Sequence, residues 1–177
     1  MRFAGCVRNP KWRRKPLIRN ATESDAGAIA QLLRPVVLQS TITFLSTPKS
    51  RDDIVADLRA KANAGHGMLV AHRGGALLGM AGYGQFRGGN GYAHAYEHTI
   101  VLAPEARGKG VGRQLMARLE AHAKASGGHT LWAGVSAENP DGVAFHTRVG
   151  FEFIATLPEV GRKFDRWIDL VLMRKQL

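Results

Sequence analysis

The sequence predicts a single α/β domain in which helices flank a mixed β-sheet. Three observations lead to this fold class. The chain has 177 residues, of which 45% are hydrophobic, and this is enough apolar material for one sizeable core. Two helical segments come first, strand hairpins follow, and strand–helix–strand–helix units close the chain, an order typical of a mixed sheet. No internal repeat interrupts residues 17–177.

The first half of the chain predicts a strand, two helices and a hairpin. Residues 17–21 are the strand candidate, and TESD at 22–25 supplies N-capping and acidic side chains to the first helix. The apolar positions of that helix are Ala28, Ile29, Leu32 and Leu33. The second helix begins in the segment STPKSRDD and carries on one face Ile54, Val55 and Leu58. Residues 68–72 and 76–83, joined by RGG, predict the hairpin.

The second half predicts strands that alternate with helices. A glycine-rich turn at 88–91 precedes a strand over 92–102. The helix predicted over 112–126 is amphipathic, with its apolar positions at Leu115, Met116, Leu119 and Ala123. The remaining elements are a strand at 130–135, a helix at 140–149, and strands at 153–157 and 167–173.

Positive charge is concentrated at the start of the chain. The net charge is +11, and residues 1–16 contain six basic residues and no acidic one. We therefore divide the chain into a basic extension, residues 1–16, expected to be disordered, and a domain, residues 17–177. A basic domain favours polyanionic partners such as nucleic acid, an acidic surface or a phosphorylated cofactor. The extension as an RNA-binding arm is disfavoured, because only Phe3 and Trp12 are available there to stack on bases.

The composition argues against a membrane or secreted protein. No run approaches the about 18 apolar residues that a membrane span needs. No apolar segment of a secretory signal follows the basic residues 1–16. The one cysteine is Cys6, which excludes a disulfide framework. We expect a cytoplasmic protein without a membrane partner.

The segment VLAPEARGKGVGRQLM, residues 101–116, has the features of a phosphate-binding loop. Small residues let several backbone N–H groups point inward at once, and a following helix adds the positive end of its dipole. The small residues here are Gly108, Gly110 and Gly112, and the charged ones are Arg107, Lys109 and Arg113. The spacing fits neither the P-loop nor the dinucleotide-binding motif. The alternative is a glycine-rich turn with solvated cations.

The spacing R-x-x-G-x-G at 107–112 resembles the loop that binds the pyrophosphate of acyl-CoA in the GNAT acetyltransferases. A second segment, Asn139 and then GVAFHTRVGF, is similar to N-x-x-A-x-x-x-Y-x-x-x-G-F of the same superfamily. In this segment Gly142 stands at the Ala position and His146 at the Tyr position. The order of elements over residues 17–173 matches as well.

This resemblance implies a GNAT fold and an N-acetyltransferase that uses acetyl-CoA and no metal. It also implies that acetyl-CoA contacts the loop, the strand before it, the start of the following helix and the start of the second segment. The residues at those positions are His98, Thr99, Ile100, Arg107, Gly108, Lys109, Gly110, Val111, Gly112 and Asn139. The oxyanion of the reaction would meet a backbone N–H group on the strand over 97–102.

Three further segments resemble one branch of the superfamily, the phosphinothricin and methionine-sulfoximine N-acetyltransferases. They are STITFLSTP at 40–48, QFRGGNGYAHAYEHTIVL at 85–102 and LPEVGRKFDRWIDLVLM at 157–173. The resemblance implies acetylation of the α-amine of a small amino acid or analogue, and a homodimer. The chain departs from the branch at Leu45, where Glu is usual, at Gly89, where Arg is common, and at Gly142, where Ser is common. These departures leave the exact acceptor open.

Two residues are candidates for proton transfer. Amino-acid amines are mostly protonated at neutral pH, so the reaction needs a base. Glu97, in the strand sequence YAHAYEHTI, is the candidate, because a carboxylate buried beside a cleft has a raised pKa. The alternative is that Glu97 pairs with His94 or His98. His146 is the candidate that protonates the leaving thiolate in place of the superfamily's Tyr; the alternative is a structural histidine.

The carboxylate of an amino-acid acceptor calls for a bidentate arginine. Arg87 follows a predicted strand and is placed for this role, with a solvated turn arginine as the alternative. The expected pocket walls are Phe44, Tyr92, Lys163 and Phe164. The other histidines are scattered without ligand spacing, so no metal is expected.

Two other functions stay open. The enzyme could acetylate a polyamine, an antibiotic such as an aminoglycoside, or a protein N-terminus, but a cationic acceptor favours an acidic pocket and this sequence is basic. A basic nucleic-acid-binding protein would bind with a steep salt dependence. That reading leaves Glu97, Asn139 and the glycine spacing unexplained. We therefore expect a small-molecule amine substrate and no nucleic-acid partner.

Overall fold

A computed structural model describes residues 15–177 of the chain. The helices are α1 (Ala26–Gln39), α2 (Arg51–Asn63), α3 (Val111–Ala125) and α4 (Pro140–Arg148). The strands are β1 (Leu17–Asn20), β2 (Met68–Arg73), β3 (Ala76–Gln85), β4 (Ala95–Leu102), β5 (Thr130–Ser136), β6 (Glu152–Lys163) and β7 (Arg166–Gln176). The prediction of a disordered extension at 1–16 falls almost entirely outside the described residues.

The strands form one seven-stranded sheet in the order β1-β2-β3-β4-β5-β7-β6. Neighbouring strands are antiparallel except for β4 and β5, which are parallel. A parallel pair needs a crossover connection, and α3 supplies it. The predicted fold class, a mixed sheet flanked by helices, is confirmed.

The parallel pair of β4 and β5 separates after three residues. Residues 95–97 of β4 lie opposite residues 130–132 of β5, and no further pairing follows between them. Beyond that point β4 stays paired with β3 as far as Leu102, and β5 stays paired with β7 as far as Ser136. The sheet therefore splits into a V, and one edge of β4 keeps its backbone groups free of strand partners there.

Apolar cores lie on both faces of the sheet. One contains α3 and includes Leu115, Leu119 and Tyr96; the other contains α1 and α2 and includes Ile29, Ile54 and Val101. Side chains alternate between the faces of a strand. Consecutive residues of β4 therefore serve different cores, and this decides the surroundings of the candidate site.

Several element boundaries differ from the predictions, and those of β4 and β6 have clear physical reasons. β4 begins at Ala95 rather than at 92, because residues Asn90–Tyr92 form a 3₁₀ turn. β6 extends from Glu152 to Lys163 rather than over 153–157. Pro158 lies inside β6, and it is tolerated because β6 is an edge strand with register shifts between Leu157 and Gly161.

The start of α2 shows why the segment SRDD begins a helix. The Ser50 hydroxyl accepts a hydrogen bond from the Asp53 N–H at 3.1 Å, and the Asp53 carboxylate accepts one from the Ser50 N–H at 2.8 Å. This reciprocal capping satisfies two backbone donors that a helix start leaves unpaired.

Across residues 15–177 no helix combines the length and the apolar character needed to cross a membrane.

Candidate active site

A cavity of about 560 Å³ lies where β4 and β5 separate. Residues 97–101 of β4 and 133–136 of β5 line it, and Asn139 and His146 contribute from the start and the end of α4. α1 and α2 contribute a wall from their face of the sheet, with side chains that include Val36, Val37, Ile54, Asp57 and Lys61. The cavity thus joins the V of the sheet to the space beneath the first two helices.

Glu97 is the carboxylate in this cavity closest to the split. It is the last residue of β4 paired with β5, and its Oε1 lies 3.0 Å from the position that a Cβ on Gly134 would occupy. Among residues 15–177 no side chain donates a hydrogen bond to the Glu97 carboxylate. Burial raises the pKa of Glu97, and the positive charge of Arg87 opposes that rise. The arrangement is that of a carboxylate with a higher proton affinity than an exposed glutamate.

The structure contradicts the alternative in which Glu97 pairs with His94 or His98. His94 Nδ1 lies 2.7 Å from the carbonyl oxygen of Gly127. His98 occupies the opposite face of β4 and contacts His146 instead. Neither imidazole bonds to the carboxylate.

His146 lies buried on α4 and faces β4. Its Nδ1 is 2.7 Å from the carbonyl oxygen of Gly142, and its Nε2 is 3.2 Å from Nε2 of His98. Burial lowers the pKa of His146, and the hydrogen bond to Gly142 opposes that fall. The side chain is therefore a neutral imidazole at neutral pH, at the edge of the cavity.

The loop over 107–112 is a turn with a glycine-dependent backbone conformation that leads into a helix. Gly108 and Gly110 have φ angles of +67° and +78°, which L-residues with a Cβ rarely adopt. Gly110 is the N-cap of α3, and within residues 15–177 no side chain caps this helix. The first backbone N–H groups of α3 therefore have no partner within the helix and face an exposed loop rich in cations.

Gly112 differs from the other two glycines of the loop. It lies inside α3, which begins at Val111 rather than at 112, and it is buried. A Cβ at this position would lie 3.0 Å from the ring of Phe145 and 3.1 Å from Leu102. Gly112 therefore serves close packing among α3, α4 and β4.

Asn139 caps α4 through its side chain. Its Oδ1 accepts a hydrogen bond from the Gly142 N–H at 3.0 Å. A Cβ on Gly142 would overlap the Asn139 amide and lie 3.0 Å from Val135. The departure at Gly142 thus has a local reason, since a serine there would displace the capping side chain.

The predicted acceptor residues divide into two groups. Phe44 lines the cavity, and its ring packs directly over Gly161 of β6. Within residues 15–177, the lining does not include Arg87, Tyr92, Lys163 or Phe164. Arg87 is exposed, with its guanidinium 5.3 Å from the centre of the Phe86 ring, and Lys163 is buried with Nζ donating to the Thr43 carbonyl at 2.7 Å.

Sequence reasoning missed the polar side chains that α2 brings to the cavity. Lys61 lines it and donates from Nζ to the Tyr83 carbonyl at 2.5 Å, and the ion pair of Lys49 and Asp57 lies on the same wall. It also missed Gly134, whose lack of a side chain makes room for Glu97. An available signal for Gly134 was a glycine inside a strand, which often marks a close approach.

No three His, Cys, Asp or Glu side chains of the described residues converge on a point that could hold a metal ion.

Comparison with known proteins agrees with this geometry. The profile of the acetyltransferase (GNAT) family matches residues 37–151. The L-amino acid N-acyltransferase MnaT of Escherichia coli is 35% identical over 160 residues, which are 90% of this chain and 93% of that protein. The L-methionine sulfoximine/L-methionine sulfone acetyltransferase of Salmonella typhimurium is 33% identical over 90% of this chain and 94% of that protein. The phosphinothricin N-acetyltransferase of Alcaligenes faecalis is 34% identical over 90% and 82%.

Solved structures show the same fold. An acetyltransferase from Salmonella typhimurium with its cofactor acetyl-CoA superimposes with a TM-score of 0.88 at 32% identity, over 93% of this chain and 95% of that one. A phosphinothricin acetyltransferase from Sinorhizobium meliloti in complex with acetyl-CoA gives a TM-score of 0.87 at 30% identity, over 93% and 89%.

The chain belongs to the GNAT acetyltransferase family and is an acetyltransferase of that type. Within the family, the relatives include the phosphinothricin and methionine-sulfoximine enzymes. The resemblance to that branch is confirmed.

Proposed function

We propose that the protein transfers the acetyl group of acetyl-CoA to the α-amine of a small amino acid or amino-acid analogue. The observation that carries this proposal is the position of Glu97. Its carboxylate lies in the cavity at the split of β4 and β5, on the face of the sheet that α1 and α2 cover. An acceptor beneath those helices would present its amine to this carboxylate.

Acetyl-CoA is proposed to bind along the split. Its pyrophosphate would lie against the loop over 107–112, where backbone N–H groups, the start of α3 and exposed basic side chains all favour negative charge. The thioester would then reach the free edge of β4 at residues 98–100. A backbone N–H group on that edge would stabilise the oxyanion of the tetrahedral intermediate.

Glu97 is proposed as the general base. The acceptor arrives as an ammonium ion and attacks only after losing a proton. Because its pKa is raised, the Glu97 carboxylate binds a proton more tightly than an exposed glutamate does. A general base for an ammonium ion requires this higher proton affinity. His146 is proposed as the group that protonates the thiolate of CoA when the carbon–sulfur bond breaks.

The acceptor is proposed to lie between Phe44 and the α1–α2 wall. The lining is mainly apolar there, with Val36, Val37 and Ile42 among its residues. Against the rise that burial causes, the positive charge of Arg87 lowers the pKa of Glu97, which supports a role for Arg87 in holding the acceptor carboxylate. The three relatives named above act on amino acids or their analogues, and this supports the same class of acceptor here.

We further propose that the protein is a cytoplasmic homodimer. The hairpin of β6 and β7 exposes five large apolar side chains, which are Phe153, Ile154, Val160, Phe164 and Trp167, at 60%, 43%, 54%, 53% and 59%. Apolar side chains exposed together on one hairpin are typical of an interface. No partner other than a second copy and the two substrates is proposed.

The test is an acetyl-CoA-dependent release of free thiol, measured across a panel of acceptors. The panel holds methionine sulfone, methionine sulfoximine, phosphinothricin, apolar L-amino acids, a polyamine, an aminoglycoside and a peptide N-terminus. We expect turnover with the amino-acid class. Turnover confined to the polyamine, aminoglycoside or peptide would contradict the proposed acceptor, and no thiol release with any acceptor would contradict the activity.

The role proposed for Arg87 is tested in the same assay. Arg87→Ala should raise KM for an amino acid by about tenfold or more, since a charge-assisted hydrogen bond contributes about 1.5–3 kcal/mol. The amide derivative of the same amino acid, which lacks the carboxylate, should show little change. An equal rise in KM for both acceptors would assign Arg87 another role.

A further inference from the structure

The imidazoles of His98 and His146 form a buried pair that the proposed chemistry so far does not explain. The two residues are 48 positions apart in the chain, yet their Nε2 atoms are 3.2 Å apart and each side chain is 6% exposed. Phe151 lies 5.3 Å from each imidazole, and Phe145 lies 5.2 Å from His146, measured between ring centres. Two polar rings in such an enclosure cost free energy unless their hydrogen bonds are made.

The hydrogen-bond partners determine the tautomer of His146. A carbonyl oxygen only accepts, so Nδ1 of His146, 2.7 Å from the Gly142 carbonyl, carries a proton. The pKa of His146 is lowered by burial, so the ring is neutral at neutral pH and has a single N–H group. Its Nε2 therefore holds a lone pair, and the bond to His98 requires that His98 Nε2–H donates.

The same reasoning identifies which ring nitrogen of His98 is unprotonated. With a proton on Nε2, a neutral His98 has none on Nδ1, and this buried atom has no hydrogen-bond partner among residues 15–177. Burial, followed by the charge of His146, lowers the pKa of His98 to about 3. Glu97, the adjacent residue of β4, points to the opposite face of the sheet, and the rings that enclose the pair are those of Phe145 and Phe151.

We propose that His98 is a positioning residue whose Nε2–H bond fixes the ring orientation and the tautomer of His146. His146 then begins each reaction cycle as a neutral imidazole with an unprotonated Nε2. This inference rests on the proposed function, in which His146 transfers a proton to the thiolate. It adds that His146 must accept a proton before it donates one.

The proton balance of acetyl transfer provides that proton. The acceptor ammonium loses two protons on its way to the amide, and Glu97 takes the first. As the tetrahedral intermediate collapses, the hydrogen bond from His98 to Nε2 of His146 opens, because Nε2 has a single lone pair. The N–H bond of the former amine then breaks and an Nε2–H bond forms on His146. The carbon–sulfur bond then breaks, Nε2 gives up this proton, and an S–H bond forms on CoA.

The contact with His98 favours this return of the proton. When Nε2 of His146 is protonated it can no longer accept a hydrogen bond from His98, and the Nε2–H group of His98 is left without an acceptor in an apolar enclosure. The protonated His146 is therefore a stronger acid than an exposed imidazolium, and proton transfer to the thiolate restores the original bond.

The test combines ¹⁵N NMR of the histidine side chains with kinetics of two variants. In the wild type, long-range ¹H–¹⁵N spectra should show a proton on Nδ1 and none on Nε2 of His146. His98→Gln keeps an N–H donor near the same place and should retain this tautomer, with kcat within a few-fold of wild type. His98→Leu removes the donor; the pKa of His146 should rise, because no N–H group then competes for its lone pair.

The turnover of His98→Leu should fall by at least about tenfold, as part of the about 10²- to 10⁴-fold that a positioned proton-transfer group contributes. KM for acetyl-CoA should change little. His94→Gln, at an exposed histidine outside the cavity, is the matched control and should behave as wild type.

A proton on Nε2 of His146 in the wild type would overturn the inference, and so would wild-type kcat in His98→Leu. The spectra require no turnover, so they test the pair separately from the activity. If the wild type transfers acetyl groups and the tautomer is the reverse of that expected, the inference fails and the proposed function stands. If no acceptor is acetylated, the proposed function fails, and with it the catalytic meaning of the pair.

Discussion

At the scale of single residues, the site depends on the side of β4 that each side chain takes. Glu97 projects toward α1 and α2, and His98 projects toward α3 and α4. The two neighbours in sequence therefore have different surroundings: a carboxylate in a cavity and an imidazole in an aromatic enclosure. Both pKa shifts follow from burial, which raises the pKa of the acid and lowers that of the base.

Removing the charge of Glu97 should affect turnover without affecting the cofactor. Glu97→Gln is expected to lower kcat by about 10²- to 10⁴-fold, the usual contribution of a general base. The base acts only when unprotonated, so wild-type activity should fall as pH drops through the pKa of Glu97. Because that pKa is raised, the fall occurs above the about 4.3 of an ordinary glutamate.

In Glu97→Gln this acidic limb of the pH profile should flatten, and acetyl-CoA affinity measured by calorimetry should stay unchanged. Glu105→Gln, at an exposed glutamate in the turn before the loop, is the matched control and should leave the profile as it is. Near-normal kcat in Glu97→Gln, with an intact acidic limb, would assign the base elsewhere.

Gly134→Ala should disturb Glu97 from the neighbouring strand. The added Cβ would lie 3.0 Å from Glu97 Oε1 and 3.4 Å from Leu170, so the carboxylate must shift. A displacement of about 1 Å at a reacting group costs up to about 10²-fold in rate, and this smaller shift of the carboxylate should lower kcat by less than that. Gly84→Ala, whose Cβ would meet Lys61 Nζ at 3.6 Å and His66 Nδ1 at 4.0 Å, both ordinary contacts, is the control. Equal kinetics of the two variants would show that Glu97 does not need the space.

At the scale of elements, the glycines in the loop and at the start of α3 have two different structural roles. Gly108 and Gly110 allow positive φ angles, and they keep bulk away from the backbone N–H groups at the helix start. Gly112 lets α3 approach Phe145 of α4 and Leu102 of β4. The motif thus carries both the anion site and the packing that holds the helix against the split.

Substitutions at Gly110 and Gly112 should therefore differ in what they change. Gly110→Val should weaken acetyl-CoA binding, since it adds bulk beside the free N–H groups and strain of about 1–3 kcal/mol at a φ of +78°. Gly112→Ala should mainly lower the melting temperature, because its Cβ is crowded in the core. Gly27→Ala, in α1 with open space around the Cβ, should stabilise by about 0.5–1 kcal/mol.

The measurements are calorimetric titration with acetyl-CoA and thermal unfolding of each variant. Unchanged acetyl-CoA affinity in Gly110→Val would mean that the loop is only a turn. If the Gly112→Ala protein were as stable as the Gly27→Ala protein, the crowding around a Cβ at position 112 would not reduce the free energy of unfolding.

At the scale of the whole molecule, the sheet is two parts joined over a short parallel pair. The antiparallel strands β1 to β4 form one part, and β5, β7 and β6 form the other. In the described part of the chain, only residues 95–97 and 130–132 connect them through strand pairing. A ligand in the split would contact both parts and therefore favour the folded arrangement.

Acetyl-CoA should accordingly raise the melting temperature. A ligand that binds only the folded state adds about 2.7 kcal/mol of stability at a concentration 100 times its Kd. Thermal unfolding with millimolar acetyl-CoA should show a clear upward shift, and an adenine nucleotide without the pantetheine arm should give a smaller one. No shift at millimolar acetyl-CoA would contradict binding in the split.

Much of the fold was predictable because its signals are local. The capping residues of α2, the apolar period of α3 and the glycines of the loop each act within a few positions of themselves. The boundary at Ala95 and the long β6 were not predictable in this way. The start of β4 at Ala95 depends on a hydrogen bond from the Phe86 N–H to the Ala95 carbonyl. The length of β6 depends on its pairing with β7 across two register shifts.

The sequence by itself determined the order of elements, the fold class, the phosphate-loop motif and the strand position of Glu97. Only the tertiary structure decided that β4 and β5 separate beyond Glu97, that Gly134 makes room for its carboxylate, that Lys61 reaches the cavity from α2, and that His98 meets His146. The physical reason is distance along the chain. Helix period and turn chemistry act between near neighbours, whereas a cavity and a buried imidazole pair arise from strands and helices that only the sheet order brings together.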